Sequence, residues 1–338
     1  MGRLVCHYCV VRAGSILAAI ALAVLGSSSA MAVGAGSYGS ASLPSSTGTG
    51  RSSARAARRT AAVADEYPFG QLSVATNGTL YYVDQEYGQI DEATAVGSRV
   101  VLSSLPGTGA SSRSIAGLSG LCVSGRSIWF TADNTLYEAS LAGRDVRRVG
   151  RATGAIDLDL LRDGTAYYTT TFAVFEETPP GPPRRVAGGG DIGTAQQSVA
   201  QQATAEALTP VSVAGVSRQD FYFVNENILY LVKRGVASML RQPSSNFFNG
   251  ELATNPKGVV YGICSWSMCR IQGRTAVELF RLPSRVNGGF LAPDALAVAP
   301  NGSFYVSYSN QASPGTSTGI VELSPSGHVM RVVESRIT

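Results

Sequence analysis

Histidine is almost absent from this sequence: 338 residues contain only His7 and His328. Histidine is the usual acid or base near neutral pH and a common zinc ligand. Its scarcity therefore argues against serine-histidine catalysis, histidine-dependent lyase chemistry and histidine-bound zinc. The nucleophile-elbow, phosphate-loop, H-E-x-x-H and calcium-loop signatures are also missing. His328 precedes a period-two strand, so we expect it to face water at the start of an outer strand.

The apolar run at residues 15–25 is too short to span a bilayer, which needs about 20 residues. It follows Arg3 and Arg12 and leads to Ala30-Met31-Ala32, the small-x-small pattern of a signal-peptidase site. Residues 1–32 are therefore predicted to be a signal peptide cleaved after Ala32, with an uncleaved anchor as the alternative. The expected product is secreted or extracytoplasmic, without stable membrane insertion.

Charged residues make up only 15% of the chain, and the formal charge of +4 is concentrated near the N-terminus. Two arginines lie in the leader, and Arg51, Arg55, Arg58 and Arg59 lie in residues 33–64. Removing these six leaves 21 basic against 23 acidic residues, a net charge of −2. Such a domain lacks the basic excess that holds a phosphate backbone, so we expect no nucleic-acid partner.

Residues 33–64 are rich in Gly, Ser, Ala and Arg and are predicted to form a flexible linker. Its arginines would either touch an anionic envelope polymer or membrane surface, or remain solvated.

Cysteine is also sparse, and its spacing is informative. Cys264-Ser-Trp-Ser-Met-Cys269 predicts a disulfide that closes a tight β-hairpin, consistent with an oxidising compartment. Cys122 has no obvious partner. It lies in an apolar stretch, which predicts a buried and inert thiol.

Turn residues and short strands are abundant: the chain has 38 glycines and 44% hydrophobic residues. From residue 65 onward, period-two strands rich in Tyr, Phe, Val and Ile alternate with Gly, Asn, Asp and Ser turns. Asn77-Gly78, Asp163-Gly164 and Asn301-Gly302 are dipeptides that tight hairpins favour.

Aligning these segments gives a repeat of four strands, which is one propeller blade. The six copies begin near residues 72, 120, 156, 219, 252 and 294. Residues 65–338 are therefore predicted to be all-β, a single β-propeller of six blades with four antiparallel strands each. Seven blades is the alternative count.

Two phrases carry a family resemblance: Val74-Ala-Thr-Asn-Gly-Thr-Leu-Tyr-Tyr-Val-Asp84 and Leu296-Ala-Val-Ala-Pro-Asn-Gly-Ser-Phe-Tyr-Val306. They resemble NHL-type repeats, and the same phrase appears in the related SMP-30-like lactonase and streptogramin-lyase-like six-bladed propellers. The resemblance covers residues 70–335. It implies the fold, and it leaves the activity open because that superfamily includes both binding platforms and enzymes.

The irregular loops of such a ring are expected on one face, where strands two and three connect and where blades join. Loops on a rigid scaffold commonly carry binding residues, although each of these side chains could equally be a solvated loop residue. The candidate ligand-binding residues on this face are Asp84, Glu86, Tyr87, Asp133, Asn134, Asn225, Glu226, Asn227, Trp266, Tyr308 and Asn310.

These observations predict an exported, monomeric, non-catalytic module without a cofactor, which binds a polar ligand or a protein, peptide or saccharide partner. The alternative implied by the resemblance is a metal-dependent lactonase- or lyase-like enzyme. In that case Glu86, Asn134, Asn225 and Glu226 offer the oxygen ligands that calcium or magnesium prefers. A third possibility is an extracellular sensor or scaffold, which a contiguous apolar patch would mark.

Overall fold

The computed structural model describes residues 69–94, 96–105, 115, 117–170, 173–188, 210–225, 228–240, 248–286, 289–310 and 317–337. All of them belong to one compact unit, Ala56–Thr338. The predicted signal peptide and linker, and the predicted site residues Glu226 and Asn227, lie outside the described residues. No helix in the described part is long and apolar enough to cross a membrane.

Six four-stranded antiparallel sheets follow one another along the described chain, each built from consecutive strands. Blade 1 contains β1 (Phe69–Val74), β2 (Leu80–Asp84), β3 (Gln89–Thr94) and β4 (Gly97–Leu102). Blade 2 contains β5 (Leu121–Ser124), β6 (Ser127–Ala132), β7 (Thr135–Ser140) and β8 (Arg147–Arg151). Blade 3 contains β9 (Ala155–Leu160), β10 (Ala166–Thr170), β11 (Ala173–Glu177) and β12 (Arg184–Gly188).

The second half of the ring repeats this plan, with one short hairpin inserted before the last blade. Blade 4 contains β13 (Pro210–Ser217), β14 (Asp220–Asn225), β15 (Ile228–Lys233) and β16 (Val236–Met239). Blade 5 contains β17 (Phe248–Thr254), β18 (Val260–Cys264), β19 (Ser267–Gln272) and β20 (Thr275–Arg281). The hairpin is β21 (Arg285–Val286) and β22 (Gly289–Phe290), and blade 6 contains β23 (Ala292–Val298), β24 (Phe304–Asn310), β25 (Ser317–Leu323) and β26 (Val329–Ile337). The prediction of an all-β, six-bladed propeller is confirmed.

Asn-Gly and Asp-Gly turns join the first and second strands of several blades. The Asn77 side chain accepts a hydrogen bond from the Thr79 amide at 3.0 Å, and Gly78 adopts φ +89°. A side chain there would be strained by that positive φ. The Asp163 carboxylate accepts from the Thr165 amide in the same way, also at 3.0 Å. The local sequence therefore determines where each of these hairpins turns.

The hydrophobic core is divided among the interfaces between blades. Six clusters of buried side chains occur among the described residues, and each joins one pair of neighbouring blades. At the blade 3–blade 4 interface the ring centroids of Tyr167 and Phe221 lie 4.9 Å apart, and both side chains are completely buried. Burial of one such side chain contributes roughly 1.5–3 kcal/mol, so blade packing is a principal source of stability.

The ring closes by packing of blade 6 against blade 1. Among the described strands, no strand of one of these blades is hydrogen-bonded into the sheet of the other. Phe69 and Tyr82 of blade 1 pack with Tyr305 of blade 6. Beside them Arg336 of β26 pairs with Asp84 and Glu86, and its guanidinium carbon lies 4.9 Å from the Phe69 ring centroid. We call Arg336, Asp84 and Glu86 the closure clasp.

The predicted disulfide is present. Cys264 at the end of β18 bonds to Cys269 in β19, with 6.0 Å between the two Cα atoms. Both residues are buried in the core between blades 4 and 5. The disulfide therefore spans the β18–β19 hairpin.

Candidate functional site

A cavity of about 750 Å³ occupies the central channel of the ring. The first strand of every blade contributes to its lining, and so do the tight turns that follow β1, β5, β9 and β17. Because strands alternate in direction, these turns lie on one side of the ring, which we call the turn face. The connections between second and third strands, and between blades, lie on the opposite side, which we call the loop face. The cavity therefore opens at the turn face.

Blade 3 differs from the others at the position that lines the channel. Asp159 of β9 pairs in register with Tyr167, and the equivalent inner-strand residue pairs with an aromatic residue in every blade. In the other five blades the equivalent residue is small: Ser73, Cys122, Ala214, Ala253 and Ala297. A carboxylate at this channel-lining position is therefore specific to blade 3.

Asp157 lies two residues earlier on the same strand and is almost fully buried. Its Oδ2 accepts hydrogen bonds from Ser212 Oγ at 2.7 Å and from the Val213 amide at 2.8 Å. Its Oδ1 accepts from the Leu158 amide at 2.8 Å. Burial raises the pKa of Asp157 to about 6, although these donors oppose the shift.

Asp159 makes a parallel set of contacts one step closer to the turn face. Its Oδ2 accepts from the Gly215 amide at 2.7 Å and from Thr254 Oγ1 at 3.0 Å. Its Oδ1 accepts from the Leu160 amide at 2.8 Å, and the Cys122 sulfur lies 3.8 Å away. Burial raises the pKa of the Asp159 carboxyl. Burial, with the nearby Asp159 charge, also raises the pKa of the Cys122 thiol well above its usual value.

These bonds tie three blades together at their inner edges. The inner strand of a blade is a sheet edge, and its outward amides have no strand partner. Asp157 and Asp159 accept from two such amides of β13, at Val213 and Gly215. Ser212 extends the network by accepting from the Leu252 amide of β17 at 3.0 Å. We call Asp157, Asp159, Ser212 and Thr254 the inner network.

The opposite wall of the channel, formed by blades 6, 1 and 2, has fewer polar links. Ser73 Oγ accepts from the Val123 amide at 2.8 Å, which joins blades 1 and 2. Ala297, Val298 and Leu121 contribute apolar surface to the same cavity. The channel therefore has a polar wall at blades 3–5 and a more apolar wall opposite.

The mouth of the cavity carries charged side chains. Arg162 and Asp163 come from the β9–β10 turn, and Lys257 comes from the β17–β18 turn. Arg162 donates to the carbonyl of Pro256, so its side chain reaches from blade 3 to blade 5. Asp163 pairs with Arg218 at 2.7 Å, and its pKa is lowered by the Thr165 amide first and then by Arg218. Among the described residues, no carboxylate forms an ion pair with Arg162 or Lys257.

The site residues predicted from the loops do not line this cavity. Asp84 is fully buried in the closure clasp, and Glu86 pairs with Arg336 at 2.9 Å. The Tyr87 ring is 55% exposed and its centroid lies 5.2 Å from the Arg336 guanidinium carbon. These three predicted residues are therefore brought together by ring closure.

Asp133 and Asn134 form the β6–β7 turn on the loop face, both at positive φ. They line a second cavity of about 370 Å³ between blades 2 and 3. Asn134 Oδ1 accepts a hydrogen bond from the Gly154 backbone amide at 2.8 Å. The Asn134 side chain therefore helps to hold the connection between blades 2 and 3. This pair is the part of the predicted set that borders a cavity.

The remaining predicted residues are dispersed. Asn225 is buried at the end of β14, whereas Trp266 is 41% exposed in the β18–β19 turn. Residues 307–310 were expected in a loop, but β24 continues to Asn310 because each residue pairs with β25. Tyr308 is consequently buried in the core between blades 5 and 6.

The expectation of a buried Cys122 needs a similar correction. Cys122 is only partly buried, because its position on β5 borders the channel, although the protein around the thiol still excludes enough water to raise its pKa.

No group of three or more His, Cys, Asp or Glu side chains within the described ranges is arranged to hold a metal ion. Of the four oxygen ligands considered from sequence, Glu86, Asn134 and Asn225 lie in different blades on the loop face. The carboxylates that the structure does bring together, Asp157 and Asp159, accept hydrogen bonds from amides and hydroxyls.

Sequence reasoning missed the two aspartates. The signal was available in the third repeat, Ile156-Asp-Leu-Asp-Leu160, where carboxylates occupy positions that are small or neutral in most other copies. Comparing the copies position by position would have shown it.

The fold and its channel define a six-bladed β-propeller whose central cavity has a polar wall and a more apolar wall. No protein-family model matches the chain, and no curated protein matches it. Among solved structures it is similar to a streptogramin B lyase, with TM-score 0.50 and 12% identity over 80% of this chain and 83% of that chain.

Two further solved structures are similar at lower scores. Virginiamycin B lyase from Staphylococcus aureus has TM-score 0.49 and 12% identity, over 80% of this chain and 84% of that chain. A protein described as a gluconolactonase has TM-score 0.45 and 15% identity, over 65% of this chain and 79% of that chain. At these identities the likeness shows the fold alone.

Proposed function

We propose that this protein is a non-catalytic binding module whose central cavity receives a small polar ligand through the turn face. The observation that carries the proposal is the cavity itself, about 750 Å³ and lined by all six blades. Small-molecule sites commonly have volumes of about 300–1,000 Å³. The rigid ring would present a preformed site, which reduces the ordering cost of binding.

The chemistry of the lining favours binding over catalysis. The carboxylates of Asp157 and Asp159 have a structural role, because each of their oxygens accepts at least one hydrogen bond from the protein and these bonds join the inner strands of neighbouring blades. The raised pKa of Cys122 keeps its thiol protonated and weakly nucleophilic. His328 lies exposed in the turn between β25 and β26 and does not line the cavity.

The names of structurally similar proteins include a lyase and a gluconolactonase. The alternative function is therefore a metal-dependent lactonase- or lyase-like enzyme, and it remains the competing outcome of the test below. We place the protein outside the cytoplasm, with residues 1–32 as its signal peptide. The disulfide between Cys264 and Cys269 supports an oxidising compartment.

The test is ligand binding by the intact chain, measured by calorimetry and thermal unfolding. The probes are neutral monosaccharides, amino acids and short peptides. Ala253 lines the cavity, so Ala253→Trp should fill it and abolish binding of any active compound. Val96→Trp is the matched control, since Val96 is 98% exposed on an outer turn and should leave binding unchanged. Gln71→Trp offers a second way to fill the cavity if the first variant is unstable.

Two results would contradict the proposal. Binding that survives both Ala253→Trp and Gln71→Trp would place the ligand elsewhere, with the loop face as the next candidate. A calcium- or magnesium-dependent rise in Tm, reversed by EDTA and accompanied by lactone turnover, would establish the enzymatic alternative.

A further inference from the structure

The mouth of the cavity holds two cationic side chains from blades on either side of blade 4. Arg162 crosses from blade 3 to donate to the Pro256 carbonyl, and Lys257 is the next residue along the chain. Both side chains belong to the cavity lining. The hydrogen bond therefore holds the guanidinium beside the turn that carries the Lys257 ammonium.

Neither side chain forms an ion pair within the described residues. The neighbouring cation, Arg218, is paired with Asp163, but no carboxylate pairs with Arg162 or Lys257. The side-chain oxygen of Asn255 accepts hydrogen bonds from the Lys257 and Val259 backbone amides at 3.0 and 2.9 Å. Two like charges at one cavity mouth repel one another, and a bound anion would reduce that repulsion.

We propose that Arg162 and Lys257 bind the oxyanion, a carboxylate or phosphate, of the ligand that occupies the cavity. The inference rests on the proposed function, because it assigns the chemical class of that same ligand. Guanidinium and ammonium groups form charge-assisted hydrogen bonds with such anions. The floor of the cavity has the opposite character, since Asp157 and Asp159 lie deeper. The ligand is therefore oriented with its anionic group at the mouth and a neutral or cationic part inward.

The first experiment measures binding of sodium phosphate and sodium acetate to the intact chain by calorimetry, against sodium chloride at equal ionic strength. We expect phosphate or acetate to bind and chloride not to compete at equal concentration. Arg162→Gln and Lys257→Gln should each lower the binding affinity for the oxyanion about tenfold, and the double variant should abolish measurable binding. Whichever of phosphate and acetate depends more on these residues identifies the anionic group.

Arg274→Gln is the matched control. Arg274 is an exposed arginine of the outer β19–β20 turn, on the same face and blade as Lys257 but outside the cavity. It should bind phosphate like the wild type. An equal loss in Arg274→Gln would show attraction to general surface charge and would overturn the inference.

Failure of the inference can be separated from failure of the proposed function. If a neutral compound binds and Ala253→Trp abolishes its binding, while neither phosphate nor acetate binds, the cavity is a binding site and the oxyanion assignment is wrong. If phosphate binding depends on Arg162 and Lys257 and a hexose phosphate also binds, the Ala253→Trp variant should retain inorganic phosphate and lose the hexose phosphate. Retention of both would confirm the anion site and reject the cavity as the ligand site.

Discussion

The two faces of the ring differ in how their polar side chains are used. On the loop face, the predicted residues Asp84 and Glu86 are committed to Arg336 and ring closure. On the turn face, the connections are short and regular, yet the large cavity opens there and Arg162 and Lys257 have no carboxylate partner among the described residues. The irregular loops therefore do not mark the position of the large cavity, which is lined by the inner strands and the tight turns.

On the loop face the predicted carboxylates have a structural role in ring closure, and on the turn face Arg162 and Lys257 are the proposed ligand contacts. Three measurements of the free energy of unfolding test these structural roles, and the expected loss of stability decreases from the first to the third. A large change in the free energy of unfolding indicates that the substituted side chain, or its partner, is a buried structural group. A small change indicates that it is not.

Breaking the closure clasp should cause the largest loss in the free energy of unfolding. Arg336→Ala would leave Asp84 fully buried without its cation, since the Asp84 side chain has no exposed surface. Removing one partner of a buried pair costs about 3–5 kcal/mol, measurable by urea unfolding.

The control for this variant is Arg99→Ala. Arg99 pairs with Glu92 on blade 1 and is 62% exposed, so solvent screens this ion pair and its loss should cost far less stability than the loss of Arg336. Similar small losses for Arg336→Ala and Arg99→Ala would show that blade 6 and blade 1 are held by apolar packing alone.

Disrupting the inner network should come next. Asp157→Ala leaves the Val213 amide and the Ser212 hydroxyl without their acceptor in a buried place. Each unsatisfied buried group costs about 1–3 kcal/mol, so we expect a loss of about 3 kcal/mol in urea unfolding.

Asp157→Asn keeps one acceptor oxygen and should lose less stability than Asp157→Ala. An Asp157→Ala variant as stable as the wild type would mean that the carboxylate is not structural. The aspartate would then be free for ligand contact or chemistry, and the non-catalytic proposal would need revision.

The third prediction is that the free energy of unfolding depends on pH through a carboxylate between blades 2 and 3. Glu177 ends β11 next to Gly150, where an added Cβ would lie 1.9 Å from Glu177 Oε1. The side chain is buried, and burial raises its pKa from 4.5 to about 7, opposed by the Arg151 amide. A folded-state pKa above the unfolded value means that stability falls as pH rises from about 4.5 and levels off above about 7.

Glu177→Gln should remove this decline, which is on the order of 2–3 kcal/mol between pH 4.5 and 8. The measurement is urea unfolding at several pH values. Glu176→Gln is the control one residue earlier, where the carboxylate pairs with Arg184 at 2.9 Å, and it should keep the decline. The buried Asp157 contributes in the same direction, with a pKa of about 6, so a smaller slope is expected to remain. If the pH profile of stability in Glu177→Gln were the same as in the wild type, the pH dependence would originate from other groups.

Much of the fold could be predicted because it is determined locally. Asn77-Gly78 and Asp163-Gly164 specify turns through their own φ angles and side-chain hydrogen bonds. The hairpin disulfide followed from two cysteines five residues apart. In contrast, Tyr308 looked like a loop residue, because nothing near it in sequence reveals its pairing with Gly319.

The candidate site was much less predictable. Asp159 bonds to Gly215 and Thr254, which are 56 and 95 residues away in the chain. Arg162 reaches Pro256 over a separation of 94 residues. A hydrogen bond between such residues depends on the angle between blades, which short-range patterns do not encode.

The repeat, the number of strands per blade, the tight turns and the disulfide could therefore be predicted from local sequence. Period-two alternation and turn chemistry act over a few residues, so they can be read from the chain directly. Three features became visible only in the folded ring. Asp157 and Asp159 accept hydrogen bonds from the inner strand of blade 4, and Asp84 takes part in ring closure. Arg162 contacts Pro256, the residue before Lys257. The physical reason is that closing six blades into a ring brings together residues distant in sequence, and only their packing sets which polar groups remain free.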